Sequence, residues 1–376
     1  MKQKLFISLF VGIALSAVAL YFAFRNVPFH DLTAYLSSIQ YAWVFPSTLL
    51  VLASFALRVV RWQIILATFH RIGFWNAFHP LMIGFMVNCI LPGRVGEVVR
   101  PALLQKRDRV PFSSGLATVA AERVFDITLL MGLFAVIMAF VKIDPDLSIP
   151  FGAYRLNRDT LVTVNAQMVK IMAVLVVGIA LVSLSRTRAL ITRLIWNLPM
   201  LFFPAGRMFK EKLREKGSKT VIRIIENLAS GFSLVRRPRR VVACLALSFF
   251  IWALLAGSMA VFAVGCPGID LTFFELTAVM IIVCFFIALP SAPGFWGLWE
   301  AGGVFALALF GVAKHEAAGF TLANHAIQMF PVILVGLISA AVTGVNIVEV
   351  IRERRGHPVE KDSNSVEKNV LSENVP

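Results

Sequence analysis

Apolar residues in this chain come in unbroken blocks close to twenty residues long, the first running from Leu5 to Phe24. At about 1.5 Å of rise per residue, such a block spans roughly 30 Å as an α-helix, the thickness of a bilayer's hydrocarbon layer. Membrane strands need only about ten residues and alternate in polarity, so the blocks favour helices. Only 15% of the 376 residues are charged and 58% are hydrophobic, against about 25% charged residues in a soluble domain. A water-facing surface could not be covered from so small a polar supply. The expected fold class is therefore an all-α polytopic membrane protein. The opening MKQK resembles the start of a signal peptide, but the apolar core behind it is too long for one, so a retained first helix is expected.

The chain carries a formal charge of +15, which in a soluble protein would point to nucleic acid. Here the charge follows topology instead. Residues 186–240 hold fourteen Lys/Arg against Glu211, Glu215 and Glu226, eleven of the fifteen excess charges. By the positive-inside rule this connector faces the cytoplasm and its anionic leaflet, and no nucleic-acid partner is expected. Its apolar and charged residues alternate at helical spacing over 205–234, as in an amphipathic surface helix or a connector packed on the core. Counting charge parity from a cytoplasmic N-terminus gives six full spans: Leu5–Phe24, Tyr41–Val60, Phe112–Val141, Met168–Ser185, Val241–Val264 and Phe320–Val350. Arg61 and Arg71 mark a cytoplasmic end, residues 25–41 a nearly neutral outer connection, and Arg352, Arg354 and Arg355 a cytoplasmic C-terminus. The polar tail at 351–376 has nothing to bury and is expected to be disordered.

Two apolar stretches are interrupted. Residues 77–91 run into PGRVGEVVR and then Pro101–Gln105, and Phe273–Leu289 runs into PSAPGFWGLWEAGG and then Val304–Val312. Positive charge flanks the first unit at both ends, and the second lies between a loop with Asp270 and Glu275 and the mixed Lys314, His315 and Glu316, so each should enter and leave from one side, as a pair of short helices or a re-entrant hairpin. A single offset of 201 residues lays Pro92, Gly93 and Gly96 on Pro293, Gly294 and Gly297, and the spans beside them on one another. One helix separates the copies, so the second is inverted: repeat 1 covers about 41–141 and repeat 2 about 241–350, within a transmembrane domain of residues 1–350. Transporters commonly have this organisation, with broken helices meeting near the midplane. The prolines and glycines stop the helices there and permit tight turns.

Ionisable residues stand within or beside these apolar blocks: Arg94, Glu97 and Arg100 in the first interruption, Glu122, Arg123 and Asp126 in the third span, and Glu300 in the second interruption. Each would cost about 2.5–3.5 kcal/mol near the bilayer centre unless paired or wetted. Arg123 reaches Asp126 at i+3, while Glu122 needs a partner such as Arg94 or Arg100. The same groups would serve equally as structural ties between helices, and Arg94 and Arg100 could snorkel to headgroups. In the second half Asn324 takes the place of Arg123, beside His325 and a turn before Gln328. His325 alone reads as a hydrogen-bonded packing residue, and Phe295, Trp296 and Trp299 as interfacial anchors or the lining of an acyl-chain groove. Cys89, Cys244, Cys266 and Cys284 lack C-x-x-C spacing and read as buried thiols, with no metal site. No phosphate-binding glycine loop, metalloprotease or serine-hydrolase motif is present. No cofactor, catalytic residue or enzymatic activity is expected.

Taken together, ILPGRVGEVVRPALL, AAERVFD and PSAPGFWGLWEAGG resemble the signatures of the lysylphosphatidylglycerol synthase transmembrane-region family, the flippase-like domain proteins. The resemblance covers about residues 5–350. It implies a bacterial or archaeal cell-membrane protein that moves a lipid between leaflets or assists synthesis of a lipid-linked product. By this resemblance Pro92, Gly93, Gly96, Glu97 and Arg100 match the first motif, Glu122, Arg123 and Asp126 the second, and Pro293, Gly294, Gly297 and Glu300 the third. Relatives commonly carry a basic residue near Asn324, and this chain departs from them there. The bifunctional members also bear a soluble aminoacyl-transferase domain after the membrane part, so lysyl transfer is not expected of this polypeptide. The leading expectation is a lipid flippase or transporter that takes an anionic, amine-bearing or polyprenyl-phosphate headgroup into a midplane pocket, with Arg94, Arg100 and Arg123 on phosphate. Glu97, Glu122, Asp126 and Glu300 would hold an amine or exchange protons. The alternatives are a secondary transporter of a small soluble anion, and a non-transporting partner of a lipid-biosynthesis enzyme docked through the basic connector.

Overall fold

A computed structural model describes residues 2–25, 27–140, 185–202 and 237–346, with short pieces between 149 and 178 and at Ser218. The fourth span Met168–Ser185, the connector at 205–234 and the tail at 351–376 lie wholly or largely outside the described residues. Helix α1 (Lys2–Phe24) is followed by α2 (Phe29–Ser38), a 3-10 turn at Tyr41–Trp43, α3 (Val44–Leu66), α4 (Phe74–Ile90), α5 (Gly96–Asp108) and α6 (Phe112–Phe140). Two three-residue strands, β1 (Ile149–Phe151) and β2 (Tyr154–Leu156), pair antiparallel. Helices α7 (Ser185–Phe202), α8 (Pro238–Ala263), α9 (Phe273–Ile287), α10 (Leu298–Ala308) and α11 (Lys314–Thr343) complete the order. The architecture is helical, as the apolar blocks require. Three of these segments, Tyr41–Leu66, α8 and α11, are long and apolar enough to cross a bilayer, and α1 with α2 makes a fourth when taken as one bent span.

The connection at 25–41, expected on the outer side, is not a plain loop. Residues Phe29–Ser38 form α2, bent 81° from the end of α1, and bury Tyr35. The last long helix starts six residues before Phe320, because Lys314–Glu316 form its first turn, with Glu316 at the favourable N-terminal end of the dipole.

Helices α3 and α8 lie against each other along a seam of small buried residues: Ser47 and Ser54 on one, Ser248 and Ser258 on the other. Small side chains let backbones approach where lipid supplies no hydrophobic drive, and Ser258 Oγ donates to the Ser47 carbonyl at 3.0 Å across the seam. Aromatic contacts tie α4 and α11 to this centre, Phe55 to Phe85 at 4.9 Å and Phe262 to Phe320 at 5.5 Å, and join α6 to α9, Phe134 to Phe285 at 5.7 Å. Leu334, Leu337, Ile338 and Val342 on α11, and Val242, Phe249 and Phe250 on α8, point outward, a face suited to acyl chains.

Both interrupted units fold as pairs of short helices packed on each other, α4 with α5 and α9 with α10. In the first pair the helices touch backbone to backbone at Gly84 and Gly96, where a methyl on Gly96 would occupy the position of the Gly84 carbonyl oxygen. The Gly96 amide, at the start of α5, donates to Asn88 Oδ1 at 2.8 Å. The breaks have the same backbone form at the same offset. Gly93 (φ 77°) and Arg94 (φ 54°) are left-handed, and so are Gly294 (φ 68°) and Phe295 (φ 62°). For glycine this costs little, whereas for Arg94 and Phe295 it costs about 1 kcal/mol or more, so the surroundings must hold them.

Candidate functional site

Arg58 and Arg61 stand three apart on α3, and Arg61 was assigned to a cytoplasmic end. It is instead fully buried, at 0% exposure. Of the two arginines expected to mark a cytoplasmic end, Arg71 alone is exposed. The signal available was the spacing itself, since two arginines at i and i+3 in an apolar helix share one face.

That face meets α6. Arg61 grips Asp126 with both ends of its guanidinium, Nη1 to Oδ1 at 2.6 Å and Nη2 to Oδ2 at 3.2 Å, and Nη1 also donates to Ser248 Oγ at 2.7 Å. Arg58 and Arg123 each lie 3.6 Å from Asp126 Oδ2, and the Trp252 indole donates to Oδ1 at 3.3 Å. One turn earlier Glu122 pairs with Arg100 at 2.8 Å and lies 3.9 Å from Arg61. Arg100 is 2% exposed and its guanidinium sits 4.1 Å above the Trp62 ring. It does not snorkel. Its stem crosses Gly84, where any side chain would collide with it. Arg123 Nε, finally, is 3.8 Å from Glu97. The string thus contains Arg58, Arg61, Arg100 and Arg123 against Glu97, Glu122 and Asp126, four charges against three.

The string forms the back of a chamber of about 210 Å³. Its ionisable lining is Arg58, Arg94, Glu97, Arg123 and His325. Its polar lining adds Asn88, Asn324 and Gln328, and most of the rest is apolar, including Phe55, Phe85, Met259, Met280, Val283, Ile287 and Val332. Of the seven charged residues expected to bind substrate, then, Arg94, Glu97 and Arg123 face the chamber. Arg100, Glu122 and Asp126 stand behind its wall as partners of other charges, and Glu300 is buried against His325. Arg58 belongs to the site and was missed.

The two breaks meet here. Arg94 Nη2 donates to the Ile287 carbonyl at the end of α9 at 2.9 Å, and Gly294 lies against the Cys89 carbonyl at the end of α4. Gly297 Cα leaves no room for a side chain beside the Ser16 carbonyl, and Ser16 Oγ accepts from the Ala292 amide at 2.8 Å, so α1 braces the second break from outside. Within it, Glu300 Oε2 accepts from the Gly297 amide at 2.7 Å and Oε1 lies 2.6 Å from His325 Nδ1. His325 Nε2 contacts the Gly294 carbonyl at 2.8 Å. Trp296 and Trp299 enclose the same imidazole, with centroids at 4.5 and 4.6 Å and Trp299 stacked within 8°. These tryptophans hold a histidine in place, and Phe295 and Trp299 line the chamber. Cys244 and Cys266 are buried as expected, but Cys89 and Cys284 are only partly covered and line the chamber. Among the described residues no cluster of His, Cys, Asp and Glu has the arrangement of a metal site.

The sequence profile of the lysylphosphatidylglycerol synthase transmembrane region matches residues 9–336. The chain is also 25% identical over 369 residues to a protein of Haloferax volcanii, glycosyltransferase AglD, an alignment that takes in 92% of this chain and 56% of that protein. The chain therefore spans little more than half the length of that relative.

Proposed function

Because this chain belongs to the lysylphosphatidylglycerol synthase transmembrane-region family, we propose that it is a lipid flippase or lipid transporter that takes an anionic headgroup into the chamber and leaves the acyl chains in the bilayer. The observation that carries this reading is the mismatch within the chamber lining. Arg58, Arg94 and Arg123 face it with Glu97 as the one carboxylate, while the remaining walls are largely apolar. Guanidinium groups suit phosphate, which they can grip with paired charge-assisted hydrogen bonds. A small soluble anion would gain nothing from the methionines and phenylalanines beside them.

An inverted repeat supports movement as well as binding. Exchanging α3, α4, α5 and α6 for α8, α9, α10 and α11 returns the same set of helix neighbours: α4 packs on α11 as α9 does on α6, and α3 on α11 as α8 does on α6. The left-handed pairs at 93–94 and 294–295 coincide under the same exchange. Two oppositely inserted halves around a shared site are the usual basis of alternating access. In this reading the protein is a multi-pass component of the cell membrane with both termini cytoplasmic, and it is a carrier without catalytic chemistry of its own.

Leaflet exchange of a labelled anionic lipid in vesicles reconstituted with the full chain tests the proposal. The wild type should accelerate exchange, and Glu97→Gln and Arg123→Gln should slow it at least tenfold. If wild type and both variants are equally inert with anionic lipids, transport is not its function. If a soluble organic anion is taken up instead, the chamber serves a different cargo.

A further inference from the structure

Asn324 is 1% exposed and faces the chamber, yet neither its Oδ1 nor its Nδ2 has a partner. A buried amide in this state costs far more than one hydrogen-bonded to protein or ligand, so its position marks where an occupant's polar atoms belong. Arg123 Nε, across the chamber, is likewise without a hydrogen-bond acceptor. The two residues stand at equivalent places, 201 residues apart, so the halves offer a cation on one wall and a neutral amide on the other. Gln328, one turn along α11, extends the amide wall, with Nε2 3.5 Å from Ser258 Oγ. No carboxylate lies on that wall. Glu97 belongs to the arginine side, and Glu300 has both oxygens engaged by the Gly297 amide and His325. His325 has both ring nitrogens engaged as well and offers only its ring edge and face.

Given the headgroup reading above, on which this inference rests, we infer that the chamber selects lipids whose phosphate is esterified to an uncharged, hydroxyl-bearing group, with Asn324 as the residue that reads a hydroxyl. An amide supplies both an acceptor and donors, the complement of a hydroxyl, which is itself donor and acceptor. An ammonium group would find amide oxygens on that wall but no carboxylate to balance its charge, in a chamber already rich in guanidinium. Selection against it follows from repulsion as well as from the missing partner.

The test uses the purified full chain in lipid nanodiscs or detergent, with quenching of tryptophan emission as the readout, since Trp252 and Trp299 line the chamber. The probes are short-chain phosphatidylglycerol, phosphatidic acid and phosphatidylethanolamine, and soluble glycerol 3-phosphate. Wild type should bind phosphatidylglycerol about 10- to 100-fold more tightly than phosphatidic acid, the range set by leaving a buried polar group unpaired, and phosphatidylethanolamine more weakly than either. Asn324→Leu should remove the preference and leave phosphatidic acid binding unchanged. Asn324→Asp, nearly isosteric, should weaken phosphatidylglycerol and favour phosphatidylethanolamine. The inference is overturned if Asn324→Leu alters both anionic lipids equally, or neither, while Arg123→Gln still weakens both. If Arg123→Gln weakens neither, the headgroup reading itself has failed. If glycerol 3-phosphate binds as tightly as the lipid, the hydroxyl reader stands and the lipid source does not. An Asn324→Leu protein that fails to fold leaves the Asp variant, whose reversed preference no structural defect would produce.

Discussion

Removing the carboxylate of Asp126 tests the buried ion string most directly. Asp126 accepts two bonds from Arg61, at 2.6 and 3.2 Å, and one from Trp252, and it is the nearest anion to Arg58 and Arg123. In Asp126→Leu, Arg61 keeps Ser248 and a Glu122 oxygen 3.9 Å away, and three guanidinium groups face one another across the vacated position. A neutral interhelical hydrogen bond in a membrane protein is worth only about 0.6 kcal/mol. Stranding a buried charge costs about 3–5 kcal/mol, so the charge decides the outcome, and the unfolding constant should rise by roughly two to four powers of ten. Replacing both members, as Arg61→Met with Asp126→Leu, removes the stranded charge together with its partner and should recover at least about 2 kcal/mol of the summed single losses. Unfolding in bicelles, followed for wild type, both single variants and the double, reads each term. Single losses below about 1 kcal/mol, or a double variant equal to the sum of the singles, would mean that Asp126 is wetted and the string contributes no buried electrostatic tie.

Two further substitutions probe the backbone supports. Gly96→Ala, whose methyl would fall on the Gly84 carbonyl, should destabilise by about 1–3 kcal/mol. Gly73→Ala, at the open N-cap of α4, sets the cost of a poorer cap, about 0.5–1.5 kcal/mol, against about 0.4–1 kcal/mol gained by restricting the unfolded chain, so it should change stability by only about a few tenths of a kcal/mol, and equal melting temperatures for the two would refute the close crossing of α4 and α5. Glu300→Gln keeps an acceptor for the Gly297 amide and a partner for His325, so it should cost no more than about 1 kcal/mol. Glu300→Leu strands both and should cost about 3 kcal/mol, and unfolding curves that coincide would show that the side chain does not hold the break.

What could be read from residues alone was local or strongly patterned. Pro92–Gly93 follows directly on the end of α4, and Pro290, with Pro293–Gly294 in the 3-10 turn beyond it, follows the end of α9, because proline and left-handed glycine are decisive wherever they occur. That Glu122 needs an arginine partner followed from the cost of a lone carboxylate in an apolar block, with Arg94 and Arg100 both open, and the fold supplies Arg100. Arg61 escaped because an arginine near the end of an apolar run looks the same whether it marks the membrane edge or turns inward; only the Asp126 and Ser248 that receive it, 65 and 187 residues away, distinguish the two. Helix α2 escaped because its ten residues are too few to span and sit in a connection between two spans, and burial of Tyr35 beside Gly319 of α11 decides it. Trp296 and Trp299 looked like interfacial anchors until the fold brought His325 between them, and Glu300 looked like a ligand for substrate until it met Gly297.

The crossing at Gly84 and Gly96 also limits how the protein can move. Two helices welded at their backbones have no slack to slide or splay, and the Arg100 stem lying over Gly84 bars rotation about the shared axis. Whatever opens the space beside Arg123 must swing α4 and α5 together as one lever. The bending then falls at its ends, at residues 67–73 and at the left-handed Arg109 before α6, more than two helical turns from the buried Arg100.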